Sequence, residues 1–224
     1  MEIPRLPGDL LEAYRGLRDL TGMSSDAMDS LGIAGAVPAS LLRPTDPRAR
    51  VVAQAITVLN LARKDSAADA ARANDNRLGD IEAHNLAESG DVLVVQGIDG
   101  ISSMGSISAS IGKRQGEVGA IVDGAVRDID HSRAIGYAVW LRSVSPITGK
   151  WRIETAGINV PVTIAGIVVK PGDLVLADAV GVCVIPFSKA ADVLAVAQKI
   201  AASEAKRQKL IAEGISVGEL ARQG

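Results

Sequence analysis

Arg127 and Asp128 stand side by side near the end of the run Gly119–Asp130, and no other pair in the chain is better suited to chemistry. A guanidinium beside a carboxylate can do two jobs at one place. The arginine offers a planar fork of N–H donors to a substrate carboxylate, and the aspartate can hold a hard divalent cation through oxygen. Twenty-two residues before Arg127 begins a turn of small residues, Gly105, Ser106, Ile107 and Ser108. Such a turn can aim backbone N–H groups at an anion. Together these residues describe a pocket for a small oxo-acid. The competing reading is an ordinary surface ion pair, worth under about 1 kcal/mol.

The flanking sequence predicts the elements that would position them. Ala120–Val122 reads as an apolar strand running into a glycine turn at Gly124, which delivers the Arg-Asp pair. A helix from about Ile129 to Ile135 follows, ended by Gly136. Upstream, Asp91–Gln96 contains the continuous apolar run Val92–Val95, the mark of a strand buried on both faces. Ser106–Gln115 reads as a helix stopped by Gly116. Strand, glycine turn, helix, strand is the grammar of an α/β domain.

Further out, Leu10, Leu11, Tyr14, Leu17 and Leu20 have near-helical spacing, predicting a helix over 8–20. Ser24–Asp26 offers an N-cap for a short helix through Leu31, ended by Gly32. Val51–Leu61 is a β-rich strand, and Arg63–Gly79 reads as a loop feeding a helix. Beyond Ala138 short apolar runs (138–141, 160–169, 174–177 and 182–185) alternate with Gly and Pro turns such as Pro171–Asp173. Phe187–Ile211 is a long amphipathic helix. No repeat or low-complexity linker interrupts the chain.

With 224 residues, one domain over 1–224 is expected, long enough to bury a sizeable core. Hydrophobic residues make up 47 %, yet there are only one Phe, two Tyr and two Trp. The core must therefore be aliphatic. Net charge is −2 with both signs interspersed, so neither a basic stripe nor aromatic platforms support nucleic-acid binding. The single cysteine, Cys183, sits in an apolar run and permits no internal disulfide, which fits a reducing cytoplasm. The first residues lack a signal-peptide pattern, and no apolar stretch is long enough to span a membrane. A soluble cytoplasmic protein is expected.

On Gly105–Ser108, the strand Ala120–Val122, the stretch Asp123–Val126 and the pair Arg127-Asp128, the chain resembles the RraA-like family over roughly residues 20–215. That family includes the 4-hydroxy-4-methyl-2-oxoglutarate and 4-carboxy-4-hydroxy-2-oxoadipate aldolases and the RraA regulators of ribonuclease E. The resemblance implies an α/β fold, a layered β/β/α swivelling domain with a C-terminal helix. It implies that Gly105, Ser106, Ile107 and Ser108 bind the pyruvoyl part of a substrate. Arg127 would take the carboxylate and polarise the enolate oxygen, and Asp128 would ligate Mg²⁺ or Mn²⁺. It further implies a homotrimer or a dimer of trimers, with sites at subunit interfaces.

One position departs from the family pattern. Active members carry an Asp or Glu separated from the arginine by twenty residues, in the outer shell of the metal, and here that residue is Ser106. A hydroxyl can hydrogen-bond a water but carries no charge and is a poor base at neutral pH. Asp99 is the nearest acid able to substitute, or else it caps the Asp99-Gly100 turn. Glu204 falls near the place of a second outer-shell acid that the aldolases draw from a neighbouring subunit, or else it is a solvated helix residue. Asp178 resembles the family's Asp-x-Asp-Gly turn with Val180 in place of the second acid, and reads as a backbone cap.

The two histidines, His84 and His131, have no zinc spacing and no evident catalytic partner. His131, three residues past Asp128, is either an acid–base group near the pocket or a helix-surface residue. The serines between 102 and 110 lack a nucleophile elbow, so a hydrolase triad is not expected. The leading expectation is a divalent-metal lyase of the pyruvate-aldolase type. It would cleave 4-hydroxy-2-oxo diacids or decarboxylate oxaloacetate through a pyruvate enolate. The alternatives are a lyase, hydratase or dehydratase on another oxo-acid or sugar acid, and a non-catalytic regulator that binds a protein partner.

Overall fold

The computed structural model describes residues 3–222. Met1, Glu2, Gln223 and Gly224, the ends of the expected domain and of the N-terminal expectation, lie outside them. The chain opens with α1 (Gly8–Arg15) and α2 (Leu20–Ser30), then short strands β1 (Ala36–Pro38) and β2 (Arg43–Pro44) and the long β3 (Val51–Ala62). Helices α3 (Ala67–Arg72) and α4 (Asp80–Leu86) lead into β4 (Val92–Gln96), α5 (Ser106–Gln115), β5 (Gly119–Val126), α6 (Ile129–Ala134) and β6 (Ala138–Val144). The last part holds β7 (Ile153–Ile158), β8 (Val162–Ile164), β9 (Ile167–Val169), β10 (Leu174–Ala177) and β11 (Gly181–Ile185). Helices α7 (Ala190–Ala212) and α8 (Val217–Ala221) close the chain.

A mixed sheet in the order β1-β11-β10-β3-β4-β5-β6-β2 organises the molecule, with β7 also paired to β3. Its centre, β3 to β6, is parallel, and its wings are antiparallel. Strand alternation sorts the core. Val51, Ala53, Val92, Val94 and Ile121 point to the side where the hairpin β8–β9 plugs the curved sheet with Val162, Ile164 and Val169. Leu93, Val95, Ala120 and Val122 point to the other side, against α4 and α5. On that other side α1, α2 and α7 cover β10 and β11. Burial on both faces explains why Val92–Val95 carries no polar alternation.

Several expectations change. The helix over 8–20 ends at Arg15, and α2 starts at Leu20, so Ser24 is buried inside a helix and does not cap one. Gly124 makes no turn: β5 runs on to Val126 through a bulge between Val122 and Ala125. Gly124 is small because Gly97 of the neighbouring chain segment approaches it, and a Cβ there would lie 3.0 Å from the Gly97 Cα. Helix α4 follows the Arg63–Gly79 stretch as expected, but helix α3 inside that stretch and strand β7 were not anticipated. Cys183 is buried, and burial pushes its thiol up to about 12, in keeping with an inert core residue. Asp178 accepts from the Thr21 N–H and hydroxyl and from the Val180 N–H, the capping role expected of it. Among the described residues no helix is long and apolar enough to cross a membrane.

Candidate active site

The Arg-Asp pair and the small-residue turn meet at the N-terminus of α5. Residues 102–104 run beside the end of β5, stitched by Ser103 N–H to the Ala125 carbonyl (2.9 Å) and Arg127 N–H to the Met104 carbonyl (3.1 Å). That backbone ladder sets Gly105 directly against Arg127 and Asp128. A Cβ on Gly105 would lie 2.7 Å from Asp128 Oδ2 and 3.0 Å from Arg127 Nε, so only glycine permits the approach.

Asp128 adopts the left-handed conformation with φ 55°, which aspartate tolerates better than most residues. This turns its carboxylate back onto α5, where Oδ2 accepts the Ser106 N–H at 3.0 Å. Gly105, the N-cap residue, has no side chain, and Asp128 supplies the missing cap from a distance. The Ser106 N–H holds the Asp128 carboxyl below the usual carboxylate range, with Arg127 and His131 adding to the effect. Arg127 Nε lies 3.6 Å from Asp128 Oδ2, and both side chains are about a third exposed or slightly more.

A cavity of about 180 Å³ opens beside Arg127, walled by Gly105–Ser108, Ser102, Met104 and two segments absent from the sequence-based site. One is the start of α4, with Asp80 and Ile81. The other is the loop Thr148–Lys150, which brings a second cation. Ile107 is 66 % exposed at the rim, whereas Ser108 is buried in the wall. His131 lies on the other flank of α5, exposed, with Nε2 at 2.8 Å from the Ser110 hydroxyl. Asp99 is exposed in the Ile98–Ile101 turn and does not wall this cavity. Glu204 sits on α7, which packs on α1 and α2, and within one chain it is not part of the cavity either.

His84 has buried hydrogen-bond partners that the sequence did not show. Its Nδ1 lies 2.8 Å from Glu117 Oε1 and its Nε2 2.8 Å from the Ser108 hydroxyl. The Tyr137 hydroxyl donates to Glu117 Oε2 at 2.6 Å. The signal that could have found it is the i,i+4 spacing of Asp80 and His84 after Gly79, which places both on one face of a helix.

As to metals, among the described residues no three of His, Cys, Asp and Glu gather to form a binding cluster. Asp128 is a single ionised carboxylate at an open site. That donor set suits Mg²⁺ or Mn²⁺, which keep waters and add substrate oxygens to one or two carboxylates. It does not suit zinc.

Fold and site thus define a layered α/β domain whose small-molecule pocket opens at the N-terminus of a helix. The chain belongs to the RraA-like family: the family's Aldolase/RraA pattern matches residues 21–184. A protein of Halalkalibacterium halodurans, provisionally named a 4-hydroxy-4-methyl-2-oxoglutarate aldolase, is 31 % identical over 193 residues, covering 85 % of this chain and 84 % of its own. A crystal structure of an uncharacterized protein from Pseudomonas syringae pv. tomato superposes with a TM-score of 0.83 at 27 % identity, covering 100 % and 98 % of the two chains. Streptomyces coelicolor RraAS2, described as an unusual member of the RNase ES inhibitor RraA protein family, gives 0.77 at 26 % identity over 92 % and 99 %.

Proposed function

We propose that the protein is a divalent-metal-dependent carbon–carbon lyase of the pyruvate-aldolase type. It would cleave 4-hydroxy-2-oxo diacids, decarboxylate oxaloacetate, or both. The observation that carries the reading is the meeting of Arg127 and Asp128 with the backbone of Gly105 and Ser106 at the start of α5, beside a cavity that Arg127 and Gly105–Ser108 wall. The names of relatives as aldolases support it.

Arg127 binds the carboxylate of the pyruvoyl group through its fork and keeps a positive charge beside the adjoining carbonyl. The next N–H groups of α5, those of Ile107 and Ser108 beyond the one that Asp128 takes, orient the same group. Lys150, across the cavity, is placed for the distal carboxylate of a diacid. Asp128 would hold Mg²⁺ or Mn²⁺, which supplies Lewis-acid neutralisation of the charge that develops on the oxo group. Glu204 of a neighbouring copy in a homotrimer or dimer of trimers would complete the outer shell.

Ser106, in place of the family's acid, favours a second reading in which the same pocket serves another oxo-acid or sugar acid as lyase, hydratase or dehydratase. Exchange of pyruvate methyl protons in D₂O, followed by NMR with Mg²⁺ or Mn²⁺, tests the first reading. Exchange accompanied by oxaloacetate decarboxylation is the expected result. Silence in both assays with both metals would remove the pyruvate-aldolase reading. Turnover of other oxo-acids would then select the second reading, and stable capture of a partner protein without turnover would select a regulator.

A further inference from the structure

We propose that Asp80 is the acid–base residue of this cavity and that the buried chain Ser108–His84–Glu117 stands behind it as a proton relay. The proposal rests on the oxo-acid lyase reading for its substrate, but not for its geometry. Asp80 and His84 share one face of α4, and Ser108 of α5 faces them. Asp80 and Ser108 both wall the cavity that Arg127 enters. From Ser108 inward the contacts are continuous: 2.8 Å to His84 Nε2, 2.8 Å from His84 Nδ1 to Glu117, and 2.6 Å from the Tyr137 hydroxyl to Glu117. His84 is 0 % exposed and Glu117 2 %.

A purely structural role explains this poorly. Burying a carboxylate and an imidazole is costly, and apolar residues of the same volume fill a core at least as well. The backbone makes room for the network as well. A Cβ on Gly112 of α5 would lie 2.6 Å from Glu117 Oε2, 2.8 Å from the Tyr137 hydroxyl and 3.0 Å from His84 Cε1. Burial also holds the Asp80 carboxyl above the usual carboxylate range, against the pull of Ser108 and His84. A carboxyl shifted upward in a pocket exchanges a proton more readily than an ordinary carboxylate.

Hydrogen-bond chemistry orders the chain. An ionised Glu117 can only accept, so His84 donates from Nδ1 and its Nε2 accepts the Ser108 hydroxyl hydrogen. In cleavage, the Asp80 carboxylate takes the proton of the substrate's 4-hydroxyl, and that oxygen's electron pair forms the new carbonyl. The C3–C4 bond breaks and its electrons pass into the pyruvate enolate. Between steps, Asp80 can hand its proton to the Ser108 oxygen while Ser108 gives its own hydrogen to His84 Nε2. The imidazolium then lies between Glu117 and Ser108. Reversal of these transfers returns the proton to C3 and releases pyruvate. One proton leaves oxygen and arrives at carbon, and no other reactant is needed. Asp80 is thus the catalytic group, and Ser108, His84 and Glu117 are positioning residues.

The test has two arms. In the metal-loaded protein, pyruvate methyl exchange is measured for wild type, Asp80→Asn and Ser108→Ala, the last being small enough to spare the core. Asp80→Asn is expected to lose about 10²-fold or more in kcat with KM within about threefold. Ser108→Ala is expected to lose about 10-fold, with a displaced pH profile. In the metal-free protein, the His84 ring is followed against pH by ¹⁵N NMR in wild type and Asp80→Asn. The groups facing this relay are Asp80, Ser108, Glu117 and Tyr137, with Arg127 and Lys150 across the cavity. A His84 titration that moves when Asp80 is neutralised supports the relay. A titration unmoved by Asp80→Asn, or exchange within twofold of wild type in that variant, overturns it. If the wild type itself does not exchange, the lyase reading fails while the NMR arm still decides the relay.

Discussion

Two polar clusters flank helix α5, built from similar residue types and held in opposite ways. At its N-terminus Arg127 and Asp128 are partly exposed and fixed by backbone: a left-handed residue, a cap to Ser106 N–H, and a ladder to residues 103–104. Beneath its flank His84, Glu117 and Tyr137 are buried and fixed by one another. The first cluster can give up a side chain without disturbing the core, whereas the second cannot. The difference teaches where function and stability separate along one helix. Glycine marks the closest approach in both, Gly105 in the first and Gly112 in the second.

The largest expected effect tests the exposed cluster. Arg127→Ala should lower kcat/KM for pyruvate exchange by about 10²–10³-fold, the scale for removing a charged donor from developing negative charge. Its melting temperature should stay within a few degrees of wild type, because the side chain is 35 % exposed and closes no core contact. Arg127→Lys should restore only part of the loss, since an ammonium lacks the planar fork. Exchange retained within threefold by Arg127→Ala would remove the arginine from the site.

The glycine pair sharpens the comparison. Gly112→Ala forces a methyl group onto two buried polar oxygens and a histidine ring carbon and should destabilise by about 1–3 kcal/mol, the usual cost of overpacking. Gly105→Ala meets Arg127 and Asp128, whose side chains can swing into solvent, so it should cost activity before stability. Urea unfolding and exchange rates on both variants check this. Equal loss of stability in the two would erase the distinction drawn between the clusters.

Legibility in the sequence followed the same divide. Strands β4 and β5, helix α5 and the Arg-Asp pair were readable because their signals are local: a continuous apolar run, a glycine stop, two adjacent charges. The pairing of Gly105 with Asp128 joins residues 23 apart, so residue types could only suggest it and a family pattern was needed to support it. The relay was not readable. His84, Ser108 and Glu117 come from α4, α5 and the turn after it, and only packing of α4 on α5 brings them together. Helix α4, expected after the Arg63–Gly79 stretch, is seven residues long with no side-chain cap, too short for periodicity to declare which face it buries. Lys150 was missed for a similar reason, because a loop lysine carries no signal of the cavity it will face.

The smallest effects, and the most diagnostic for the comparison, lie in the two aspartates that face the site from opposite clusters. Asp128 titrates below the usual range because the folded state stabilises its charge through Ser106 N–H. Its contribution is therefore present above about pH 4, the ordinary carboxylate value, and is lost as pH falls through the depressed value. Asp128→Asn should lower metal-free stability near pH 7 by about 0.3–1 kcal/mol, roughly 1–3 °C in a chain of this size. The gap should close only in strong acid. Asp80 has the opposite sign, because burial raises its pKa and the folded state disfavours its charge. Its penalty is in force at high pH and is relieved as pH falls through the raised value. Asp80→Asn should therefore raise the melting temperature above that value even as it slows exchange about 10²-fold or more, and this gain should fade at a higher pH than the Asp128→Asn loss. Melting curves of the three proteins from pH 3 to 8 decide the matter. A melting temperature lowered by Asp80→Asn at neutral pH would mean that its carboxylate is a structural cap of α4. The burial of that acid beside Ser108 would then have no bearing on proton transfer.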